Sequence, residues 1–488
     1  MKRYSVILVA LLVVAGAAFA QPYTAQPGVS ANTWDNYDSC DITAQPAATL
    51  LLPYFSVDLD DATGEDTLVT ITNVSDTPAI AHFTVWTNLS VPILDFNIFL
   101  TGYDVQGISL RDVFGNGNLP STGISTTLSP VGARSLDNDE NPYFLGTVAT
   151  DCSINQGGPN AIPSFLLTAV KSALQGGSYL GCSTVSEPTD TAVGYITIDT
   201  AATCSQSLPN DPDYFTDEML FDNQLIGDYI RIDGSNNFSA ANPLVHIAAV
   251  TPGGDVGQVQ TTNFERTFYE RYQSTAGAAP YANDDRRRPL PALFAGRYIE
   301  PGTALDFDTD FAIWREGVTT DDSGCGDWED NRTEFIEFVR FDEHENPTVS
   351  TFADCPVSPC SFDPPTLIET QLVNIEDNDL IPNDSSTTDV GGWIYFNPAI
   401  PSADHDYDFV GYETTQNWVQ VRMSAGGRFA VDFDAMYMEN GCGSEMPVTS
   451  LDETGPNKIG PRYSNSDTTL WFDRSEERRV GKECRSRW

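Results

Sequence analysis

Alternation of apolar and polar residues with a period of two constrains this chain more than any other feature. Residues 67–73 read TLVTITN, placing Val69 and Ile71 on one side, and a polar turn through Ser75, Asp76 and Pro78 follows. Residues 80–87 (IAHFTVWT) resume the pattern, with Phe83 and Val85 opposite His82, Thr84 and Trp86. A backbone of this period turns one face to a core and the other away. Strand, turn, strand is how an antiparallel sandwich reads. Further strands are expected at 96–100, 193–198, 228–232 and 244–249. One helix is expected after Pro163, over 165–174, with Gly176 and Gly177 stopping it and Lys171 where the helix dipole favours a cation.

The second half repeats this grammar. Residues 304–314 (ALDFDTDFAIW) put Asp306, Asp308 and Asp310 on one face and Phe307 and Phe311 on the other. Strands are expected at 333–340, 392–396 and 418–423. In 428–438 (RFAVDFDAMYM), Val431, Phe433, Ala435 and Tyr437 share a face, and Asp432 and Asp434 point the other way. The recurring aspartates suggest two related architectures. A hydrophobic fraction of 40% with 11% aromatic residues supplies enough burial to offset the entropy of folding, so a disordered acidic polymer is excluded.

Cysteine spacing adds a second expectation. Setting aside Cys484, the cysteines fall as Cys40, Cys152, Cys182 and Cys204, then Cys325, Cys355, Cys360 and Cys442. An even set in an exported chain reads as disulfides, here paired within each group of four. The fold class expected is therefore all-β: two disulfide-stapled antiparallel β-sandwich-like domains with one short helix in the first. Their boundaries are 50–271 and 293–448, after a polar lead at 21–49 and before a polar extension at 449–473. The stretch 272–292, with Arg286, Arg287 and Arg288 between small residues and prolines, reads as an exposed, protease-accessible linker.

Both ends carry their own signatures. Lys2 and Arg3, an apolar run over 6–15 and Ala18-Phe19-Ala20 before Gln21 compose a secretory signal peptide over 1–20. Export to the extracellular space, cell surface or periplasm is expected. No later window is long and apolar enough for a membrane-spanning helix. Residues 474–488 (RSEERRVGKECRSRW) break sharply in composition and resemble a translated sequencing adapter or vector sequence. They are excluded from the fold reading.

Charge narrows the partners. With 69 acidic against 25 basic residues the formal net charge is -44, which excludes nonspecific nucleic-acid binding and disfavours anionic membranes. The excess has three readings: high-salt adaptation, calcium ligation, or Asp-rich turns of a β-protein. The densest calcium candidate is DLDDATGED, with Asp58, Asp60, Asp61, Glu65 and Asp66 around Gly64, although Ala62 departs from an EF-hand loop. Other acidic patches surround Asp321 and Asp330, Asp377 and Asp384, and Asp404 and Asp408.

Catalytic signals are sparse. The four histidines, His82, His246, His344 and His405, show no metal spacing, and the block 341–346 around His344 reads as a solvated turn. No nucleophile elbow, P-loop or dinucleotide fingerprint occurs, so no catalytic, cofactor-binding or metal residue is assigned and no cofactor beyond calcium is expected. A carboxylate pair for hydrolysis needs no motif at all. Trp86, Trp314, Trp328, Trp393 and Trp418 fit cores, or a sugar-stacking face if they cluster.

A resemblance covers much of the chain. Residues 51–114 (LLPYFSVDLDDATGED through RDVF) resemble the opening of a group of exported bacterial proteins of no assigned function. So do GYITIDTA at 194–201, the segment 227–247, and GRFAVDFDAMYMENGC at 427–442. The resemblance implies bacterial export and transfers no site residues. The expected role is noncatalytic: structural, adhesive or surface-presenting, with a neutral glycan, a protein or further copies of the chain as partners. The alternatives are a carbohydrate- or protein-binding module and a secreted hydrolase using two carboxylates.

Overall fold

The computed structural model describes residues 45–120, most of 160–249, Phe268 and Tyr269, and most of 285–317, 333–349, 366–381, 390–398 and 416–437. Nine principal strands form the first half: β1 (Thr49–Asp58), β2 (Glu65–Asn73), β3 (Ala79–Thr87), β4 (Pro92–Leu100), β5 (Val105–Ser109), β6 (Thr191–Ala201), β7 (Leu225–Asp233), β8 (Phe238–Pro243) and β9 (Val245–Ile247). They make a five-stranded sheet, β9-β1-β6-β3-β4, facing a four-stranded sheet, β8-β7-β2-β5, with antiparallel pairing throughout. Helix α1 (Ser164–Leu174) starts at Pro163, carries Lys171 in its last turn, and buries Leu166, Val170, Ala173 and Leu174 in the sandwich core.

The second half holds nine more: β10 (Phe294–Ile299), β11 (Phe307–Arg315), β12 (Glu337–Phe341), β13 (Pro347–Val349), β14 (Thr370–Asn374), β15 (Gly391–Asn397), β16 (Asn417–Ala425), β17 (Phe429–Asp434) and β18 (Met436–Tyr437). The sheets are β13-β12-β15-β10-β18 and β14-β11-β16-β17. Numbered from its own first strand, each half has the same pair of sheets, 9-1-6-3-4 and 8-7-2-5. The related architectures suggested by alternating aspartates are one topology used twice.

The disulfide staples are corrected. Among the described residues there is no disulfide bond. Of the eight cysteines, only Cys182 falls in a described element, a short ribbon pairing Tyr179 with Cys182, and the other seven lie outside the described residues. What holds the described fold is burial. The first sandwich encloses one apolar cluster, including Leu50, Phe55, Phe83, Phe96 and Ile196. A second cluster runs without a break from the outer face of the five-stranded sheet (Leu51, Trp86, Tyr195) into the second sandwich (Phe311, Trp314, Phe396, Val421). A chain of this length buries enough apolar surface to fold without cross-links.

That shared cluster covers the second face of β3. One face of β3 carries Phe83 and Val85 into the core as expected, but His82, Thr84 and Trp86 on the other face are buried too. The covering layer includes the one-turn helix Tyr214–Glu218, Phe268, Tyr269 and Arg287. The expected exposed arginine run therefore differs at Arg287, which is 1% exposed. Asp285 and Leu290 are buried beside it, while 271–284 lie outside the described residues. No helix among the described residues is long and apolar enough to cross a membrane.

Candidate functional site

Three clusters of charge stand out among the described residues, one in an exposed loop and two in buried surroundings. The first is the loop expected to suit calcium. Asp58 Oδ1 accepts the backbone N–H groups of Asp60 and Asp61 (2.9 and 2.8 Å), and Asp61 Oδ1 accepts from the N–H and hydroxyl of Thr63, which lowers the Asp61 pKa. A side chain at Gly64 would meet Asp58, since its Cβ would lie 2.4 Å from Asp58 Oδ2. The cation in this loop is Arg111. Its guanidinium donates to the carbonyls of Asp58, Ala62, Gly64 and Glu65 at 2.7–3.0 Å, and Asp66 accepts from Ser109 and from the Arg111 N–H. No group of three metal-ligating side chains occurs among the described residues. The acidic patches at 321–330 and 404–408, and Asp384, lie outside them.

The second cluster lies on the outer face of the first five-stranded sheet. Arg287 pairs with Asp199 (Nε to Oδ1, 3.0 Å) and Asp285 (Nη1 to Oδ1, 3.2 Å), and all three side chains are buried. Tyr214 and Tyr269 donate to Asp199 Oδ2 at 2.7 and 2.6 Å, and Thr49 shares Oδ1. Burial, reinforced by the Asp199 charge, pushes both phenols well above the ordinary tyrosine range. Burial alone would lower Arg287, but its two carboxylates hold it above the usual arginine value. The rings of Phe215, Phe221 and Tyr269 surround the guanidinium at 5.3–5.6 Å. Such a knot orders chain; it leaves no room for a substrate.

The third cluster is the seam between the sandwiches. On the sheet containing β11, β16 and β17, register brings Asp310, Arg422 and Asp432 side by side on the face turned to the first sandwich. Asp434 lies beside Gln420 in the same way. The opposing wall is built by a bulge in β1. Pairing with β6 shifts between Leu52 and Phe55, so Leu52 and Phe55 both enter the core and Tyr54 turns outward to pack with Val193 and Ala312. Across the seam Arg231 grips Asp432 with two bonds (3.0 and 3.3 Å), and within its own sheet it bonds Glu65 (3.3 Å). Tyr229 donates to Gln420 (2.9 Å), and Asn242 and Trp418 donate to Asp434 (2.8 and 3.1 Å).

At one end this seam opens into a pocket of about 270 Å³. The first sandwich contributes Glu65, Arg231, Asp233, Asn236 and Phe238; the second contributes Asp310, Arg422, Ser424 and Gly426. Arg422 is 2% exposed and lies over the Tyr54 ring at 4.7 Å, with Nη2 donating to the Tyr54 carbonyl at 3.4 Å. Its Nε and Nη1 have no hydrogen-bond partner. Burial raises the Asp310 carboxyl, opposed by the amide of Asn374 and supported by Asp308. Burial would raise Asp233 at the rim as well, but hydrogen bonds from Ser235 and Asn236 lower it and keep it ionised. The pocket therefore offers one buried cation with unpartnered donors, one carboxyl whose pKa burial raises, and the ionised Asp233 at its rim.

Other residues marked in the sequence serve the core. Trp86 stacks on Tyr195 (5.7 Å, 4°) and donates to Thr197, Trp314 meets Tyr195 edge-on, and Trp418 bonds Asp434. Trp393 stacks on Phe341 at 3.9 Å, and Trp328 lies outside the described residues. His82 is buried between Asn97 and Thr84, and His246 bonds the Gln45 carbonyl. His344 sits in the turn after β12, and His405 lies outside the described residues. Sequence reasoning passed over Arg231 and Arg422. Their signal is a lone arginine within an apolar strand, Ile230-Arg231-Ile232 and Val421-Arg422-Met423, in a chain with only 25 basic residues. Comparison with known proteins finds no matching family model, no matching curated relative and no matching solved structure.

Proposed function

We propose that this chain is an exported, noncatalytic binding protein that captures a small polar ligand where its two sandwiches meet. The observation that carries the reading is Arg422, a buried guanidinium with open donors lining a polar pocket. A buried charge without full hydrogen bonding is costly, and a site that completes it is a favoured place for a ligand. The amino-terminal pattern at residues 1–20 and the resemblance to exported bacterial proteins support the location. A presentation or adhesive role uses the same pair of sandwiches and is compatible with a bound ligand. In a thermal-shift panel of small acids, amines, amino acids and sugars, at least one class should raise the melting temperature, and Arg422→Met should abolish that shift. A panel flat across every class contradicts the reading.

A second reading, hydrolysis by a carboxylate pair, is favoured by one observation. Asp310, whose pKa burial raises, shares the pocket with Glu65 and Asp233. An acid beside a base is the arrangement glycoside hydrolysis uses. Turnover of a glycoside panel that Asp310→Asn eliminates would support it; equal turnover by that variant would end it.

A further inference from the structure

The pocket has a polarity as well as a volume, and the two together name a ligand class. Of its two arginines, Arg231 is already neutralised by Asp432 and Glu65. Arg422 takes part in no ion pair among the described residues, and its Nε and Nη1 are without partners. A carboxylate is the planar acceptor that a guanidinium fork fits best. Asp233 stands at the mouth on the other wall, kept ionised by Ser235 and Asn236, with Glu65 nearby. A plain anion would gain Arg422 but meet these acids and the field of a chain carrying -44. A plain cation would gain the acids but meet Arg422. A molecule bearing both charges and no net charge suits both walls, the more so because Asp310 beside Arg422 adds to the penalty on a plain anion.

Two further observations limit the ligand. About 270 Å³ is just below the range that holds drug-sized molecules, which suits something of amino-acid size. The Phe238 ring has the Arg231 guanidinium 4.4 Å from its centroid, so that face is not free for stacking on a sugar.

We propose that the seam pocket binds a small zwitterion, its carboxylate on Arg422 and its ammonium toward Asp233. This inference rests on the binding reading above and deepens it. The test is calorimetric titration of the full chain with L-alanine, β-alanine and γ-aminobutyrate, which carry the two charges at increasing separation. Acetate and ethylammonium serve as the halves and glucose as a neutral control. At least one zwitterion is expected to bind about 10-fold or more tightly than either half. Arg422→Met should weaken it by about 10-fold or more. Asp233→Asn, at the half-buried end of β7, should weaken the zwitterion similarly without weakening acetate, with an unchanged melting temperature of the free chain as the folding control.

Acetate binding as tightly as every zwitterion would overturn the dipolar assignment. Glucose binding alone would leave a ligand-binding seam but overturn the ligand class. Silence from all six probes would overturn both this inference and the binding reading. Zwitterion affinity that Asp233→Asn leaves unchanged would overturn the proposed orientation.

Discussion

A guanidinium sealed from water must find its countercharge inside the protein, and Arg287 finds Asp199 and Asp285. Removing it leaves two buried carboxylates without their cation. Arg287→Met should destabilise the chain by about 3–5 kcal/mol, measured by chemical denaturation. Asp95 is the opposite case. Its side chain is buried, Oδ2 has no hydrogen-bond partner, and burial, aided by Asp211, pushes its pKa well above the ordinary value. The folded state thus holds the Asp95 proton more tightly than the unfolded chain. Its contribution is full below the unfolded value of about 3.9 and is lost as pH rises through the raised folded value. Asp95→Asn should accordingly stabilise by about 1–3 kcal/mol at pH 8 and by much less near pH 4. Equal gains at both pH values would contradict this assignment. None of these residues was legible as a site, because sequence shows a charge but not the partner that a distant segment supplies. Arg287 in particular reads as one of three arginines in a linker until Asp199, on a strand of the other unit, is placed beside it.

Strands that feed a core were the easiest elements to read. β2, β3, β16 and β17 carry an apolar stripe with clear alternation, and each is found within a few residues of its expected position. The strands missed are mostly short or at sheet edges. β5 has Gly107 at its centre, β8 ends on Pro243 after Ser-Ala-Ala-Asn, and β14 is five residues long. An edge strand needs only one neighbour and carries less apolar signal. The loop between β1 and β2 is a different case. Its acids read as ligands for a metal, whereas Arg111, just beyond β5, holds its carbonyls. Arg111→Met should speed amide exchange across 58–66 while leaving the sandwich core protected, and added calcium should not restore protection. Recovery of protection in calcium would revive the metal reading.

At the scale of the whole molecule, the same nine-strand topology occurs twice, and the copies share an apolar cluster. Aspartate alternation in β11 and β17 foreshadowed the likeness, but the destination of those aspartates could not be read: Asp432 and Asp434 bond the first sandwich across the seam. An apolar cluster shared between the halves does the joining. A shared core also couples their stabilities, because unfolding either half exposes the apolar face of the other. Differential scanning calorimetry of the full chain tests this most directly. One transition, with calorimetric and van 't Hoff enthalpies in agreement, is the predicted result. Two resolved transitions, each the size of one sandwich, would show that the halves fold independently and that the seam does not join them.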